Sequence, residues 1–331
     1  MGEFDLIARY FTRPTARAAL GVGDDCALLQ PAPGTQLAIS SDMLVEGRHF
    51  FPDVDPFTLG HKALAVNLSD LAACGATPLA FTLALALPEA DEAWLAPFSR
   101  GLFALADAHG CELVGGDTTQ GPRNICITVF GEVPVINGKS QALLRSGAKA
   151  DDDVYVSGTL GDARLALDAL RGTVKLPAEV LAQARCRLEQ PIPRVALGQA
   201  LRSVASAAID VSDGLLGDLQ HILQASGVGA TINTSNAINL IAACTRPDWT
   251  NGIISFEKQL EYVMAGGDDY ELLFTAPASA REAVQAASRQ AHTTVTRIGR
   301  IDHEPGMRLI DDHGNRAHAL PSRFSSFDHF A

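Results

Sequence analysis

The sequence predicts an α/β fold of the α+β type in two domains, and three features carry that prediction. A chain of 331 residues with 47% apolar content exceeds the roughly 100–200 residues that one core usually organises. Runs with apolar residues recurring every three or four positions alternate, in both halves, with short apolar runs of strand length. The stretch 134–152 interrupts that alternation with Pro134, Asn137-Gly138, Ser146-Gly147 and Asp151-Asp152-Asp153, a concentration of turn formers. A boundary there gives domains 1–138 and 139–331.

Taken in order, helical recurrence runs through 3–11, 57–74, 91–109, 161–171, 177–187, 194–204, 214–226, 256–264 and 278–290. Strand-like runs occupy 36–41, 80–87, 111–115, 125–133, 153–157, 206–210, 229–233, 270–275, 295–300 and 307–311. The uncharged run Leu71 to Pro88 nears membrane-spanning length, but Gly75 and Pro78 divide it into a helix end, a turn and a strand. No membrane span is expected.

The formal net charge of −12 disfavours nucleic acid and anionic membranes as partners, because both require a basic surplus. Small molecules are the expected partners. Glu3, Asp5 and Arg9 interrupt the region where a secretory signal needs an apolar core. The cysteines at 26, 74, 111, 126, 186 and 244 show no CxxC spacing and read as buried free thiols of a reducing compartment. A cytoplasmic location follows.

Aspartates recur beside small residues at the ends of apolar runs: Gly23-Asp24-Asp25, Ser40-Ser41-Asp42, Ser69-Asp70, Gly116-Asp117-Thr118, Asp210-Val211-Ser212-Asp213 and Gly267-Asp268-Asp269. Active sites of α/β folds form at strand ends, and glycine lets a ligand approach the backbone closely. Oxygen-only donors select hard cations such as Mg²⁺. Two carboxylates about 4 Å apart repel by roughly 4 kcal/mol at an effective dielectric near 20, so a converging set calls for divalent cations between them. Mg²⁺ usually shares its shell with water and substrate phosphates, which makes a nucleotide the expected ligand. Each aspartate taken singly fits a helix or turn cap equally well.

Asn67 and Asp70 share one face of helix 57–74 and point to a site or to an ordinary polar face. Ser212-Asp213-Gly214 lies between a strand and a helix, where free N–H groups are placed to receive a phosphate, although simple capping gives the same pattern. Lys62, Arg145 and Lys149 are candidate phosphate contacts or solvated charges. His49 carries no assignment from its own surroundings. Ser41-Asp42 with Gly115-Gly116-Asp117 is echoed by Ser212-Asp213 with Gly266-Gly267-Asp268, through either related domains or repeated chemistry. Familiar nucleotide motifs fail: Gly138-Lys139-Ser140 ends like a P-loop but Val133 replaces its first glycine, and Gly21-Val22-Gly23 is followed by Cys26 at the last glycine of a GxGxxG. HExxH, GxSxG and protein-kinase catalytic-loop spacings do not occur.

Seven ordered motifs together resemble the thiamine-monophosphate kinase family, within the superfamily of aminoimidazole ribonucleotide synthetase and selenophosphate synthetase. They are Gly2-Glu3-Phe4 with Leu6-Ile7, Gly21 to Ala27, Lys62 to Gly75, Gly115 to Thr119, Leu144 to Ala148, Ile209 to Leu215 and Gly266 to Leu272. The resemblance implies a two-domain aminoimidazole ribonucleotide synthetase-like fold, an N-terminal sheet pairing in a homodimer, and an ATP site beneath glycine-rich loops. It also implies that ATP and several Mg²⁺ ions serve phosphorylation of thiamine monophosphate.

Carried over residue by residue, Asp25, Ser40, Ser41, Asp42, Asp70, Asp117, Asp210 and Asp213 match the Mg²⁺ ligands, with Asp42, Asp70, Asp117 and Asp210 as the catalytic carboxylates. Gly116, Asp117, Arg145 and Ser212 match ATP contacts, and His49, Asp268 and Phe327 match contacts to thiamine phosphate. Asp268 stands where relatives often have Glu and Phe327 where they have Tyr or Trp; His109 lies where some carry an aromatic residue near adenine. Selenophosphate synthesis resembles a reaction needing an N-terminal Cys or Sec with Lys, and Met1 to Gly21 holds neither. The hydrogenase-maturation relative uses a C-terminal cysteine, whereas this sequence reads Asp328-His329-Phe330-Ala331. A non-catalytic nucleotide-binding module would have lost acidic ligands that are all present here.

Overall fold

Alternation of covered and uncovered residues along the second half of β4 (Thr77–Leu87) and the first half of β6 (Asn124–Ile136) marks the two faces of the sheet in the first unit, Met1–Leu71 with Ala76–Ala142. The computed structural model describes residues 2–241, 254–311 and 313–314; Phe327 and Cys244 lie outside them. Helix α1 (Glu3–Tyr10) leads into a small antiparallel pair, β1 (Ala18–Leu20) and β2 (Leu28–Leu29), then β3 (Thr35–Val45), α2 (Pro56–Ala73), β4 (Thr77–Leu87), α3 (Glu92–His109), β5 (Glu112–Gln120), β6 (Asn124–Ile136) and β7 (Lys139–Ser140). The main sheet has the order β3-β6-β4-β5, with β7 added to β6. Leu83, Leu85, Leu87, Ile125, Ile127 and Val129 are buried, whereas their neighbours Thr82, Ala84, Ala86, Cys126 and Thr128 are not.

Helices α2 and α3 meet backbone to backbone, since a Cβ on Gly60 would lie 2.1 Å from the Phe98 carbonyl oxygen and one on Gly101 would lie 1.9 Å from that of Phe57. The β1–β2 pair covers one end of the opposite sheet face through Ala18, Ala27 and Leu29, packed with Ala80, Val114 and Phe130. Glu112 anchors that arm by accepting the backbone N–H groups of Ala16, Arg17 and Ala18. The remainder of the face is uncovered: on β3, Leu37, Ile39 and Met43 are 41%, 60% and 51% exposed.

The second unit comprises Ala72–Gly75 and Leu143–Ala331. In chain order it contains β8 (Asp152–Ser157), α4 (Asp162–Leu170), α5 (Ala178–Glu189), α6 (Val195–Ala200), β9 (Ala207–Val211), α7 (Leu215–Ser226), β10 (Gly229–Asn233), the single turn α8 (Thr234–Ala237), α9 (Phe256–Ala265), β11 (Glu271–Pro277), α10 (Arg281–Gln290), β12 (Val295–Asp302) and β13 (Gly306–Ile310). Its six-stranded sheet runs β13-β10-β12-β8-β11-β9. Only β10 and β13 pair in parallel; the other neighbours are antiparallel. Every residue of β8 and β9 is buried, as expected of strands covered on both faces.

Several expected elements differ in extent. The helix expected over 194–204 stops at Ala200, because Ser203 takes a left-handed φ of 62° and Val204 and Ala205 turn back onto the Leu201 carbonyl. The expected break at 134–152 begins as a hairpin: β6 continues to Ile136 and returns as β7 through Asn137 and Gly138, at φ 51° and 74°, the type of turn that Asn-Gly favours. Strand β3 extends on both sides of its apolar run, because its ladder with β6 runs unbroken from Thr35, opposite Pro134, to Val45, opposite Asn124. Leu71 to Pro88 divides as expected, and no helix among the described residues is long and apolar enough to cross a membrane.

The five described cysteines are free thiols, but of them only Cys111 is buried as expected; Cys74 and Cys126 are half-buried, and Cys26 and Cys186 are exposed on a loop and on α5. Burial pushes the Cys111 thiol up to about 12, against a smaller pull from Arg17, so it is unreactive.

Glu271 ties the second unit together. Its fully buried carboxylate receives the guanidinium groups of Arg187, at 2.6 Å, and Arg194, together with the Ser157 hydroxyl, which in turn accepts the Leu272 N–H at 2.8 Å. Removing one member of such a group strands the others in a low dielectric. Glu271→Ala is expected to destabilise the protein by about 3–5 kcal/mol, measured as a shift in the denaturant midpoint.

Candidate active site

On the first unit, the polar face of α2 meets β3. Ser40 donates its hydroxyl to the Asp70 carboxylate. The Asp42 N–H donates to Asn67 Oδ1 at 3.0 Å, while Asn67 Nδ2 donates to the Ala63 carbonyl of the preceding turn at 3.0 Å. Asn67, which is buried, is therefore a bracket that fixes β3 against α2 at the position of Asp42. Ser41 points to the other face, where its hydroxyl bonds with Thr128 Oγ1 at 2.9 Å and donates to the Ile127 carbonyl at 3.2 Å.

Asp117 stands on the far edge strand. Sheet register aligns Asp42 with Ile127, Leu83 and Gly116, and Met43 with Cys126, Ala84 and Asp117. Three strand spacings, about 14 Å, separate the Asp42 and Asp117 edges. Asp42 and Asp117 also lie within strands rather than at their ends, contrary to expectation, because the ladders continue past them, to Val45 on β3 and to Gln120 on β5; the same register sets Asp42 and Asp117 on opposite faces of the sheet. Gly116, at φ 147°, packs its Cα onto the Leu83 carbonyl, where a Cβ would come within 1.9 Å; no other residue fits there. Asp25 is exposed on the β1–β2 loop, with its N–H held by Asp24 Oδ1 at 2.8 Å. Among the described residues, no three His, Cys, Asp or Glu side chains converge closely enough to hold a metal ion by themselves.

His49 follows β3 in a tight turn. Its Nδ1 accepts the Val45 N–H at 3.0 Å, and its own N–H donates to the Val45 carbonyl at 3.0 Å. The neutral ring therefore carries its proton on Nε2. Lys62 is buried on α2, whereas Arg145 and Lys149 are exposed on the second unit.

On the second unit, Asp210 is buried near the end of β9, and the loop to α7 carries Ser212, Asp213 and Gly214. Of the two readings of this pattern, open N–H groups and capped ones, the structure has the second. The Asp218 carboxylate, in the first turn of α7, accepts all three from Ser212, Asp213 and Gly214 at 3.1 Å each. Burial and the nearby Asp213 raise Asp218 to about 7, against the downward pull of those N–H groups. Sequence reasoning missed Asp218; an acidic residue in the first turn of a helix that begins with Gly214 was the available signal.

The Gly266–Tyr270 loop is stitched onto the same strand end. Asp268 N–H donates to the Ser212 carbonyl and Tyr270 N–H to the Val211 carbonyl, both at 2.8 Å. Asp268 and Tyr270 have φ values of 66° and 51°, conformations that non-glycine residues adopt at a cost. The Tyr270 hydroxyl donates to Asp268 Oδ1 at 3.1 Å. The structure thus gathers Asp210, Ser212, Asp213 and Asp268 at one end of β9, whereas Phe327 lies outside the described residues.

Next to them, Asp269 is completely buried and accepts the Gly161 N–H at 2.8 Å, and its Oδ1 has no partner among the described residues. Burial holds its carboxyl well above the ordinary value of 3.8. A raised acid costs folding stability progressively as pH rises from its ordinary value toward its folded one. Asp269→Asn keeps an acceptor for Gly161 and removes that cost. Denaturation midpoints are expected to favour the variant at pH 7, with the difference shrinking toward pH 4.

The two units, each a mixed sheet, have the domain organisation of the AIR synthase related proteins. A family model for the AIR synthase related protein, N-terminal domain, matches residues 23–133, and one for its C-terminal domain matches 149–312. A thiamine-monophosphate kinase from Salmonella typhimurium is 44% identical over all of this chain and 98% of its own length. The crystal structure of thiamine-monophosphate kinase from Stenotrophomonas maltophilia aligns with a TM-score of 0.81 at 42% identity, covering 95% of this chain and 96% of that one. The structure of AaThiL complexed with AMPPCP and TMP aligns with a TM-score of 0.74 at 28% identity, over 91% and 89% of the two chains. The chain belongs to the thiamine-monophosphate kinase family.

Proposed function

We propose that this protein transfers the γ-phosphoryl group of ATP to thiamine monophosphate, producing thiamine diphosphate and ADP, the last step of thiamine diphosphate synthesis. The observation that carries this reading is the 44% identity to a thiamine-monophosphate kinase along the whole chain. The AMPPCP and TMP complex of AaThiL supports ATP and the monophosphate as the two substrates.

The donor set fits Mg²⁺. Asp25, Ser40, Ser41, Asp42, Asp70, Asp117, Asp210 and Asp213 offer oxygen only, and Mg²⁺ takes one or two carboxylates at a time with phosphates and water. Acidic groups at opposite sheet edges suit several ions along a polyphosphate better than one ion in a cage. When bound, Mg²⁺ neutralises the charge of donor and acceptor phosphates and aligns them for in-line attack.

The chain's own residues position the reactants. Asn67 holds Asp42 in register, and Ser40 orients Asp70; Asp42, Asp70, Asp117 and Asp210 are the catalytic carboxylates of this reading. Gly116, Asp117, Arg145 and Ser212 are the ATP contacts of this reading. His49, Asp268 and Phe327 hold thiamine phosphate, His49 presenting an Nε2–H donor. No general base is required, because a phosphate monoester with a second pKa near 6 is already largely ionised at neutral pH. Transfer is direct, without a phosphoenzyme.

The uncovered apolar face formed by Leu37, Ile39 and Met43 supports an N-terminal sheet pairing in a homodimer, since monomers seldom expose such patches. A cytoplasmic location accords with the free thiols.

ADP release with Mg-ATP tests the reading. Stoichiometric thiamine diphosphate is expected from thiamine monophosphate, and none from thiamine or aminoimidazole precursors; ADP formed only with another acceptor would overturn the substrate assignment. Asp42→Asn and Asp117→Asn are each expected to lower kcat by about 100-fold or more. A labelled protein adduct accumulating during turnover would refute direct transfer.

A further inference from the structure

We infer that Asp218 is a positioning residue for the phosphoryl-transfer site, acting as a built-in acceptor that holds the Ser212–Gly214 loop in its working shape. The inference rests on the reading of Ser212 as an ATP contact and Asp213 as an Mg²⁺ ligand.

Three consecutive backbone N–H groups pointing inward form a concavity that binds an anion, and in many nucleotide-binding folds the occupant is the substrate's phosphate. Here the occupant is covalently supplied. Asp218 Oδ2 receives Ser212, Asp213 and Gly214 at 3.1 Å each, and the residue is only 3% exposed. The loop is therefore ordered whether or not nucleotide is bound. Its carbonyl side is fixed as well, because the Ser212 carbonyl accepts the Asp268 N–H at 2.8 Å.

Held from both sides, the backbone carrying Ser212 and Asp213 has little freedom to move, so their side chains start from a fixed origin. This is preorganisation of donors before the substrate arrives. A filled concavity also means that the α7 N-terminus does not compete with cations for nucleotide phosphates. Phosphate binding is thereby left to side chains and Mg²⁺, as an acidic chain requires.

Asp218→Ala separates this role from general stability. Without substrates, amide hydrogen exchange at 212–214 is expected to speed up by roughly tenfold or more, the factor that loss of a charge-assisted hydrogen bond implies. With substrates, the KM for Mg-ATP is expected to rise about tenfold while that for thiamine monophosphate stays within about twofold. Added formate, a free carboxylate sized for the vacated position, is expected to restore both exchange protection and the KM; chloride at equal ionic strength is expected to do neither.

Unchanged exchange at 212–214 in Asp218→Ala would overturn the inference, as would faster exchange with an unchanged KM for Mg-ATP. Loss of activity that formate does not relieve would also overturn it. Should the alanine variant not fold, Asp218→Asn, which keeps an acceptor oxygen and the side-chain volume, is expected to raise the KM for Mg-ATP several-fold, and an unchanged KM would refute the role. Exchange is read on the ligand-free protein, and thiamine diphosphate formation by the parent is measured alongside. A wrong substrate assignment would therefore show in the parent's products, independently of what Asp218 does to the loop.

Discussion

A carboxylate taken out of water must find donors or a cation, and the second unit meets that demand mainly with its own backbone and guanidinium groups. Asp218 is satisfied by three N–H groups of the loop before α7. Glu271 is satisfied by Arg187, Arg194 and Ser157. Asp269 has the Gly161 N–H, and burial holds its carboxyl above the ordinary value. Each arrangement fixes a piece of chain: the α7 loop, the start of β11 and the entry to α4. The strand end that presents Asp210 and Asp213 is thus built on carboxylates already neutralised or paired, which frees the others to meet a ligand.

The first unit solves a different problem. Its site residues sit along a sheet whose edges are far apart, so their placement depends on register rather than on a shared loop. Asn67 fixes β3 at Asp42 from the helix side, and Gly116 fixes β5 at Leu83 by allowing backbone contact. A slip of one residue in either strand would turn its acidic side chain to the opposite face. The Ser-Asp echo between the halves therefore joins unlike settings: Ser41-Asp42 lies inside a strand, whereas Ser212-Asp213 lies in a capped loop.

Periodicity made the elements legible wherever burial was one-sided or complete. The apolar runs of α2, α3, β4 and β6 admit few alternatives, and the small-residue aspartate motifs of the second half fall together at one end of β9. Strand β3 was harder to bound, since Ser40, Ser41 and Asp42 interrupt its apolar run while remaining in the ladder. The loop at Ser212 stayed open between two readings because open and self-filled N–H groups leave the same trace in sequence; only coordinates show Asp218 reaching back four to six residues. Likewise, the turn at Asn137-Gly138 was seen as a break because pairing of β7 with β6 depends on two residues, too few for a pattern.

Asp268 and Tyr270 bear side chains on left-handed backbone, where glycine would be more comfortable by about 1 kcal/mol or more per position. Drift toward greater robustness would favour glycine at both places. Keeping a carboxylate and a phenol there is thus a standing cost in foldedness, and it marks this loop as a place where thermostabilising substitutions and retained activity would pull in opposite directions.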